Sequence, residues 1–299
     1  MTRTMLAPAH LLLALAVMAV WGSNFVVIRY ALDDLPPLTL AALRFIAVLL
    51  PLVFFLKRPA ASWGNLAAYG LLIGAGQFGC LFVALRADIT PGLASLLMQS
   101  QVFFTIGLSM LMTGERVRGV QVVALLLAVA GVGVILMNTD GSVTPTGLIL
   151  ILFAALGWAG GNMASRAAGQ VEMLNYVVWA SLFSIPPLVL LALLFEGWPA
   201  MVAGMRAADA WSWAAVVWQA VGNAMFGYGV WGWLLARYPA ATVAPLALLI
   251  PVFGMGASAL MLGESLQDWK LLAAALVMAG LALGMLWPRL SARFISEPV

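Results

Sequence analysis

The chain has 299 residues and carries little charge for its size. Hydrophobic residues make up 64% of it and charged residues 8%, and the mean hydropathy is +1.07. Soluble domains hold about 25% charged residues, so the composition excludes a sizeable soluble domain. It predicts one compact, all-α membrane protein that has lipid as its main surroundings.

The net charge of +3 does not indicate a nucleic-acid partner. The 14 Lys and Arg residues are scattered and form no basic stripe. The single cysteine, Cys80, lies in an apolar run, and the one histidine, His10, lies at the edge of the first apolar segment. Because neither has a metal-ligand companion, we expect no metal ion and no cofactor.

Apolar runs of about 20 residues alternate with short polar breaks along the whole chain. Near the N-terminus, Ala14-Leu15-Ala16 has the form of a signal-peptide cleavage site, but the apolar run continues to about Ile28, so we expect a retained first span. Ten transmembrane spans are predicted, at 9–30, 37–57, 64–85, 91–112, 118–138, 146–167, 173–195, 211–235, 241–262 and 268–287.

The distribution of basic residues predicts the orientation of these spans. Placing the N-terminus in the cytoplasm leaves nine of the 14 basic residues on the cytoplasmic side and four on the other side, with Arg44 inside the second span. This bias predicts a multi-pass protein of the bacterial inner membrane with both termini in the cytoplasm.

The two halves of the chain resemble each other. Trp21 and Arg29 are eight residues apart in span 1, as are Trp158 and Arg166 in span 6. Further matches, in the same order, are Pro51-Leu52-Val53 with Pro187-Leu188-Val189, Gly74 and Phe78-Gly79 with Gly222 and Phe226-Gly227, and Gly114-Glu115 with Gly263-Glu264. Five spans per half predict two inverted repeats, 1–140 and 141–299, around a central cavity.

These features resemble the drug/metabolite transporter superfamily of the EamA type over nearly the whole chain, and within it most closely the bacterial exporters of aromatic amino acids. The resemblance implies a ten-helix basket whose cavity is lined mainly by spans 1, 3, 4, 6, 8 and 9. One position departs from the family pattern. A proline commonly precedes each Gly-Glu pair by about 13 residues; the second half has Pro251, whereas the first has Val102, with Gln101 beside it.

Polar side chains inside a membrane are costly, so those within the spans are candidates for substrate binding. A cavity of apolar walls with a few uncharged polar groups suits a neutral or zwitterionic amphipathic ligand. The predicted substrate-binding residues are Asn24, Gln77, Phe78, Phe82, Ser95, Met98, Gln99, Gln101, Trp158, Asn162, Asn223, Tyr228 and Trp231. For each of the polar residues, bridging between helices is an alternative role.

Prolines and charged residues lead to three further expectations. Pro245 and Pro251 can kink span 9 and act as a hinge, although a static bend is an alternative. Arg44 is expected to snorkel or to pair with a helix-end carbonyl, a structural role that is favoured over substrate binding. All 11 acidic residues lie at span ends or in loops, which favours facilitative transport; Glu115 and Glu264 are the plausible coupling groups, with helix capping as the alternative.

The predicted function is export of small amphipathic metabolites, above all aromatic amino acids, by alternating access in a monomer. One alternative is a broad drug and metabolite exporter coupled to protons. Another is an intramembrane enzyme, although the chain has no H-E-x-x-H motif and no nucleophile–histidine constellation.

Overall fold

The computed structural model describes residues 6–113, 119–138 and 140–295. Within these ranges the regular structure is helical, apart from a single β-bridge between Ile89 and Val143. Eleven helices follow one another: α1 (Pro8–Ala31), α2 (Pro37–Leu52), α3 (Trp63–Ala87), α4 (91–113), α5 (Gly119–Met137), α6 (Pro145–Ala167), α7 (Met173–Phe195), α8 (Trp198–Ala207), α9 (210–237), α10 (240–262) and α11 (Asp268–Ile295).

Seven of the described helices, α1, α3, α4, α5, α6, α7 and α10, are long and apolar enough to cross a membrane. Helix α2 is also apolar but has 16 residues. Many large apolar side chains are exposed on the outside of the molecule, among them Phe54, Leu111 and Leu260. Such a surface requires lipid, so the chain is a multi-pass membrane protein.

Local sequence explains where several helices begin and end. Proline occupies the first turn of α1, α2, α4 and α6, where its fixed φ is favourable and its missing N–H costs nothing. Gly263 ends α10 with φ +68°, a left-handed conformation that glycine adopts without strain. Gly197, with φ +79°, turns the chain from α7 into the short amphipathic helix α8, which the sequence reading did not include.

Four helices contain irregular turns at corresponding places in the two halves. Helix α3 contains a π-helical segment at Leu72–Gly79, and α9 contains one at Gln219–Tyr228. Helix α4 has a 3₁₀ turn at Met98–Ser100, and α10 has a 3₁₀ segment at Ala244–Leu249. Both kinds of segment are uncommon in the middle of a helix and often mark functional positions.

Helices α5 and α11 pack against each other through a reciprocal pair of glycines. A Cβ on Gly131 would lie 2.7 Å from a methyl group of Val277 and 3.0 Å from the carbonyl oxygen of Ala273. A Cβ on Gly280 would lie 2.5 Å from the carbonyl oxygen of Ala124. Gly131 faces the carbonyl of Ala273, seven residues before Gly280, and Gly280 faces the carbonyl of Ala124, seven residues before Gly131. The same close approach of the two helices therefore occurs twice.

Candidate functional site

A small cavity lies between α1, α3, α4, α6, α9 and α10, the same six helices that the family resemblance implies. The cavity has a volume of about 60 Å³ that water-sized molecules can enter. Cavities that hold small organic ligands measure about 300–1,000 Å³, so this central cavity is smaller than a typical ligand site. It is lined by Trp21, Asn24, Phe25, Ile28, Gln77, Phe78, Leu81, Met98, Gln99, Trp158, Asn223, Tyr228 and Ile250.

Eight of the 13 predicted substrate-binding residues line this central cavity together. They come from five helices: Asn24, Gln77, Phe78, Met98, Gln99, Trp158, Asn223 and Tyr228. The π-helical segments of α3 and α9 supply four of the eight, and the 3₁₀ turn of α4 supplies Met98 and Gln99. The irregular turns therefore place polar side chains beside the cavity.

The other five predicted residues lie outside the cavity wall. Phe82 packs behind Phe78, with ring centroids 5.8 Å apart, and Trp231 packs against Trp21 at 5.5 Å. The Ser95 hydroxyl donates to the carbonyl oxygen of Gly92 at 2.7 Å within its own helix.

Gln101 and Asn162 form a second polar cluster, which joins α4 to α6. The Asn162 side-chain amide donates to Gln101 Oε1 at 2.9 Å and to the Thr105 hydroxyl at 3.3 Å. These groups satisfy one another, which is the helix-bridging role that the sequence reading kept as an alternative.

The amides in the central cavity fall into two groups. Asn24 and Gln219 exchange hydrogen bonds of 3.2 and 2.7 Å, so the Asn24 side chain joins α1 to α9. In contrast, Gln77 Oε1 and Gln99 Nε2 are buried without a partner in the described part of the chain. Buried polar atoms of this kind are normally hydrogen-bonded to protein, water or a ligand. Both atoms are therefore available to a bound molecule.

The two structural roles predicted for Arg44 are wrong: it neither snorkels to the membrane surface nor pairs with a helix-end carbonyl of the described chain. It is 2% exposed, since α2 packs against α7 and α9 along the face that carries it. Its Nη2 donates to Asn223 Oδ1 at 3.0 Å, and its Cζ lies 3.4 Å from the centre of the Phe78 ring. Arg44 thus lies directly behind two residues that line the cavity. An arginine within an apolar span was the available signal.

The two predicted hinge prolines lie beside the cavity in α10. Pro245 is in the 3₁₀ segment Ala244–Leu249, and Pro251 is buried in the first turn of the α-helical segment that follows. Between them, Ile250 lines the cavity, and its carbonyl oxygen would lie 2.6 Å from a Cβ on Gly22 of α1. Any change in the backbone here would reach both the cavity and α1.

At one end of the molecule, Glu264 follows α10 and holds neighbouring segments together through its carboxylate. Its carboxylate accepts hydrogen bonds from the Thr90 hydroxyl at 2.6 Å and from the Gly92 amide at 3.1 Å, at the start of α4. Buried Lys270 lies 3.3 Å from the same carboxylate. Glu264 therefore caps α4 and pairs with lysine. Glu115, the corresponding acid of the first half, lies outside the described residues.

Lys270 also links this end to the loop before α6. Its Nζ lies 3.7 Å from Asp140. Burial opposes ionisation of Asp140, but hydrogen bonds from Ser142 and the charge of Lys270 hold the pKa of Asp140 below its ordinary value. An open pocket of about 410 Å³ adjoins this end, with Arg29, Arg86 and Glu264 in its wall.

The opposite end is closed by contacts between helices. The Nδ1 of His10 lies 2.6 Å from the Tyr238 hydroxyl, which ties the start of α1 to the end of α9. Arg166 of α6 donates to the Ser109 hydroxyl of α4 at 3.2 Å. The central cavity therefore lies between an open pocket at one end and contacts that bridge the helices at the other.

Apolar helices that enclose a partly polar cavity are typical of membrane transporters. The model of the EamA-like transporter family matches residues 9–137 and again 145–286, and the chain belongs to this family. It is 40% identical over 275 residues to a Salmonella typhimurium protein, covering 90% of this chain and 92% of that one. It is 39% identical over 284 residues to an Escherichia coli protein, covering 92% and 95%.

Both relatives are named "Probable amino-acid metabolite efflux pump". A solved crystal structure with 20% sequence identity matches with a TM-score of 0.58, covering 93% of this chain and 98% of that chain. The structural match shows a shared fold.

Proposed function

We propose that this protein exports small amphipathic metabolites, above all aromatic amino acids, across the bacterial inner membrane. The observation that carries the proposal is the central cavity, in which Gln77 Oε1 and Gln99 Nε2 lie unpartnered among aromatic rings. Apolar walls would hold an aromatic side chain, and the amides would hydrogen-bond a zwitterionic head group. The names of the two relatives support an amino-acid metabolite as the substrate.

The mechanism we propose is alternating access by ten spans arranged as two inverted repeats, 1–140 and 141–299. Support comes from the matching π-helical and 3₁₀ segments, from the reciprocal packing of Gly131 and Gly280, and from the two matches of one family model. Inverted repeats place the substrate near the midplane, where one half can rock against the other.

In this arrangement both termini lie in the cytoplasm, in keeping with the excess of basic residues on that side. The open pocket beside Glu264 then faces the periplasm, and the end closed by His10 and Tyr238 faces the cytoplasm. The cavity is built within a single chain, so a monomer suffices for transport.

Transport is proposed to be facilitative. In the described part of the chain no carboxylate lines the central cavity, and Glu264 is occupied by Thr90, Gly92 and Lys270. Proton-coupled carriers usually hold a carboxylate or histidine relay inside the membrane. If Glu115→Gln and Glu264→Gln each left transport intact but removed its pH sensitivity, the facilitative mechanism would be wrong.

The test is transport by the purified protein in liposomes, with labelled tryptophan, phenylalanine and threonine and with or without an imposed pH gradient. We expect saturable movement of the aromatic amino acids that is indifferent to the gradient. Accumulation driven by the gradient would instead favour the proton-coupled exporter. No movement of any amino acid would refute the proposed substrate.

A further inference from the structure

Arg44 is a buried cation without an anionic partner. Within the described part of the chain, the ion pairs closer than 4 Å join Arg29 to Asp33 and Lys270 to Asp140 and Glu264. None of them includes Arg44, and its Nε and Nη1 atoms have no hydrogen-bond partner. The guanidinium is held by the amide oxygen of Asn223, by the hydroxyl of Tyr228 and by the faces of two phenylalanine rings.

The neighbours of Arg44 leave its positive charge uncompensated. Phe78 and Phe45 attract a cation through their ring faces, with the guanidinium 3.4 and 5.1 Å from the ring centres. The hydroxyls of Tyr69 and Tyr228 lie close enough to interact with it, but they are neutral. Burying an unpaired charged side chain inside a membrane costs free energy, so such a residue is usually retained for a function.

We propose that Arg44 recognises the carboxylate of the transported molecule, so that the substrates are amphipathic carboxylates such as zwitterionic amino acids. This inference rests on the proposed export of amino acids and specifies how the head group is bound. Three residues that line the cavity, Phe78, Asn223 and Tyr228, surround the guanidinium. Arg44 therefore lies directly behind the wall of the cavity in which the substrate would lie.

The free donors of Arg44 fit this role. A guanidinium has five N–H donors in a planar fork, and the bond to Asn223 uses one of the two on Nη2. Because Nε and Nη1 have no partner, the one N–H group of Nε and the two of Nη1 remain free. A carboxylate can accept charge-assisted hydrogen bonds from these groups. The Phe78 ring covers the face of the guanidinium, so a shift of this ring is required for access.

The same charge explains selectivity. Cationic amphipaths without a carboxylate would meet Arg44 as a like charge in a low-dielectric environment, and this repulsion rejects them. An amino acid brings one carboxylate for Arg44 and one ammonium group, for which the unpartnered Gln77 Oε1 is an available acceptor. The proposal therefore separates amino acids from their amides and from the corresponding amines.

The experiment is competition for labelled phenylalanine transport in liposomes by unlabelled phenylalanine and by phenylalaninamide, which differs in lacking the carboxylate. For the wild-type protein we expect the amide to compete about 10- to 100-fold more weakly, as expected for loss of a charge-assisted pair. In Arg44→Gln the two competitors should become equal. Arg58→Gln is the matched control, since Arg58 bonds to Ala61 and stacks on Trp63, outside the cavity. Equal competition in the wild type, or unchanged discrimination in Arg44→Gln, would overturn the proposal.

A second readout separates binding from folding and from the export hypothesis. Thermal unfolding of purified wild-type protein should be shifted upward by phenylalanine but not by phenylalaninamide, and Arg44→Met should lose this shift while unfolding at the wild-type temperature or above. Unfolding of Arg44→Met at a markedly lower temperature would assign Arg44 a structural role. If no amino acid is transported but the carboxylate-specific shift is present, export fails and carboxylate binding stands.

Discussion

At the scale of single residues, the amides in and beside the cavity have two roles. Some join helices through hydrogen bonds, and others have atoms that are free to bind a substrate. Gln219 exchanges two hydrogen bonds with Asn24, whereas Gln99 Nε2 has no partner in the described chain. Removing a buried amide that is hydrogen-bonded leaves its partner unpaired, which lowers stability. Removing a buried amide that has no partner takes away a polar group whose burial was already costly. Both residues are buried glutamines, so the difference between their roles comes from their neighbours.

We therefore predict opposite outcomes for two chemically equal substitutions. Gln219→Met should lower the free energy of unfolding by about 1–3 kcal/mol, because it leaves the Asn24 amide unpaired. Gln99→Met should leave stability unchanged or raise it, while weakening the apparent affinity for substrate about tenfold. Thermal unfolding and transport kinetics of the two purified variants test this. A destabilised Gln99→Met protein with normal affinity would assign Gln99 to packing.

Sequence reasoning located the residues around the cavity but not their partners. The cost of polar groups in hydrocarbon singled out Gln77, Gln99 and Asn223, and all three line it. The same reasoning could not show that the Asn162 side chain is hydrogen-bonded to Gln101, because the two residues are 61 positions apart in the sequence. It misread Arg44 because the depth of a residue in a span does not reveal whether its helix face meets lipid or protein.

At the scale of helices, the irregular segments are what the sequence could not predict. A π-helical or 3₁₀ turn changes the length of a span little and leaves its apolar character intact. The hydropathy of α3 and α9 therefore gives no sign of the segments at Leu72–Gly79 and Gln219–Tyr228. The helix starts were better predicted, because a proline in the first turn is a local signal.

Reciprocal packing of α5 and α11 predicts that Gly131→Ala and Gly280→Ala have similar effects. Each added methyl group would meet backbone of the other helix, so each should lower the free energy of unfolding by about 1–3 kcal/mol. Gly133→Ala, in the same helix as Gly131 but with open space around it, should be neutral or slightly stabilising. Thermal unfolding of the three variants in detergent decides this. A strong effect at only one of the two glycines would contradict equivalent packing.

The hinge proposed in α10 makes a kinetic prediction. Pro245→Ala would permit regular α-helix through Ala244–Leu249, which we expect to slow the change between conformations. The maximal transport rate should fall several-fold, with the substrate concentration for half-maximal rate nearly unchanged. Initial rates in liposomes over a range of substrate concentrations measure both quantities. A loss of affinity at an unchanged maximal rate would instead make this segment a static part of the binding site.

At the scale of the whole molecule, the proposed mechanism requires the structure to change between states. The central cavity offers about 60 Å³, too little for an amino acid, while a pocket of about 410 Å³ is open at the Glu264 end. The His10–Tyr238 contact and the Arg166–Ser109 contact close the other end. The proposed alternating access requires the cavity to expand and these contacts to separate.

The most direct test of alternating access through the central cavity is the reactivity of one cysteine placed in it. Met98 lines the cavity and is 1% exposed, and Cys80 is the only natural cysteine, so Met98→Cys in a Cys80→Ala background provides a single buried thiol. We predict that membrane-impermeant thiol reagents label it from either face, in right-side-out and in inverted vesicles, and that transported amino acid changes both rates. Labelling from one face only, or labelling that substrate does not alter, would contradict the account.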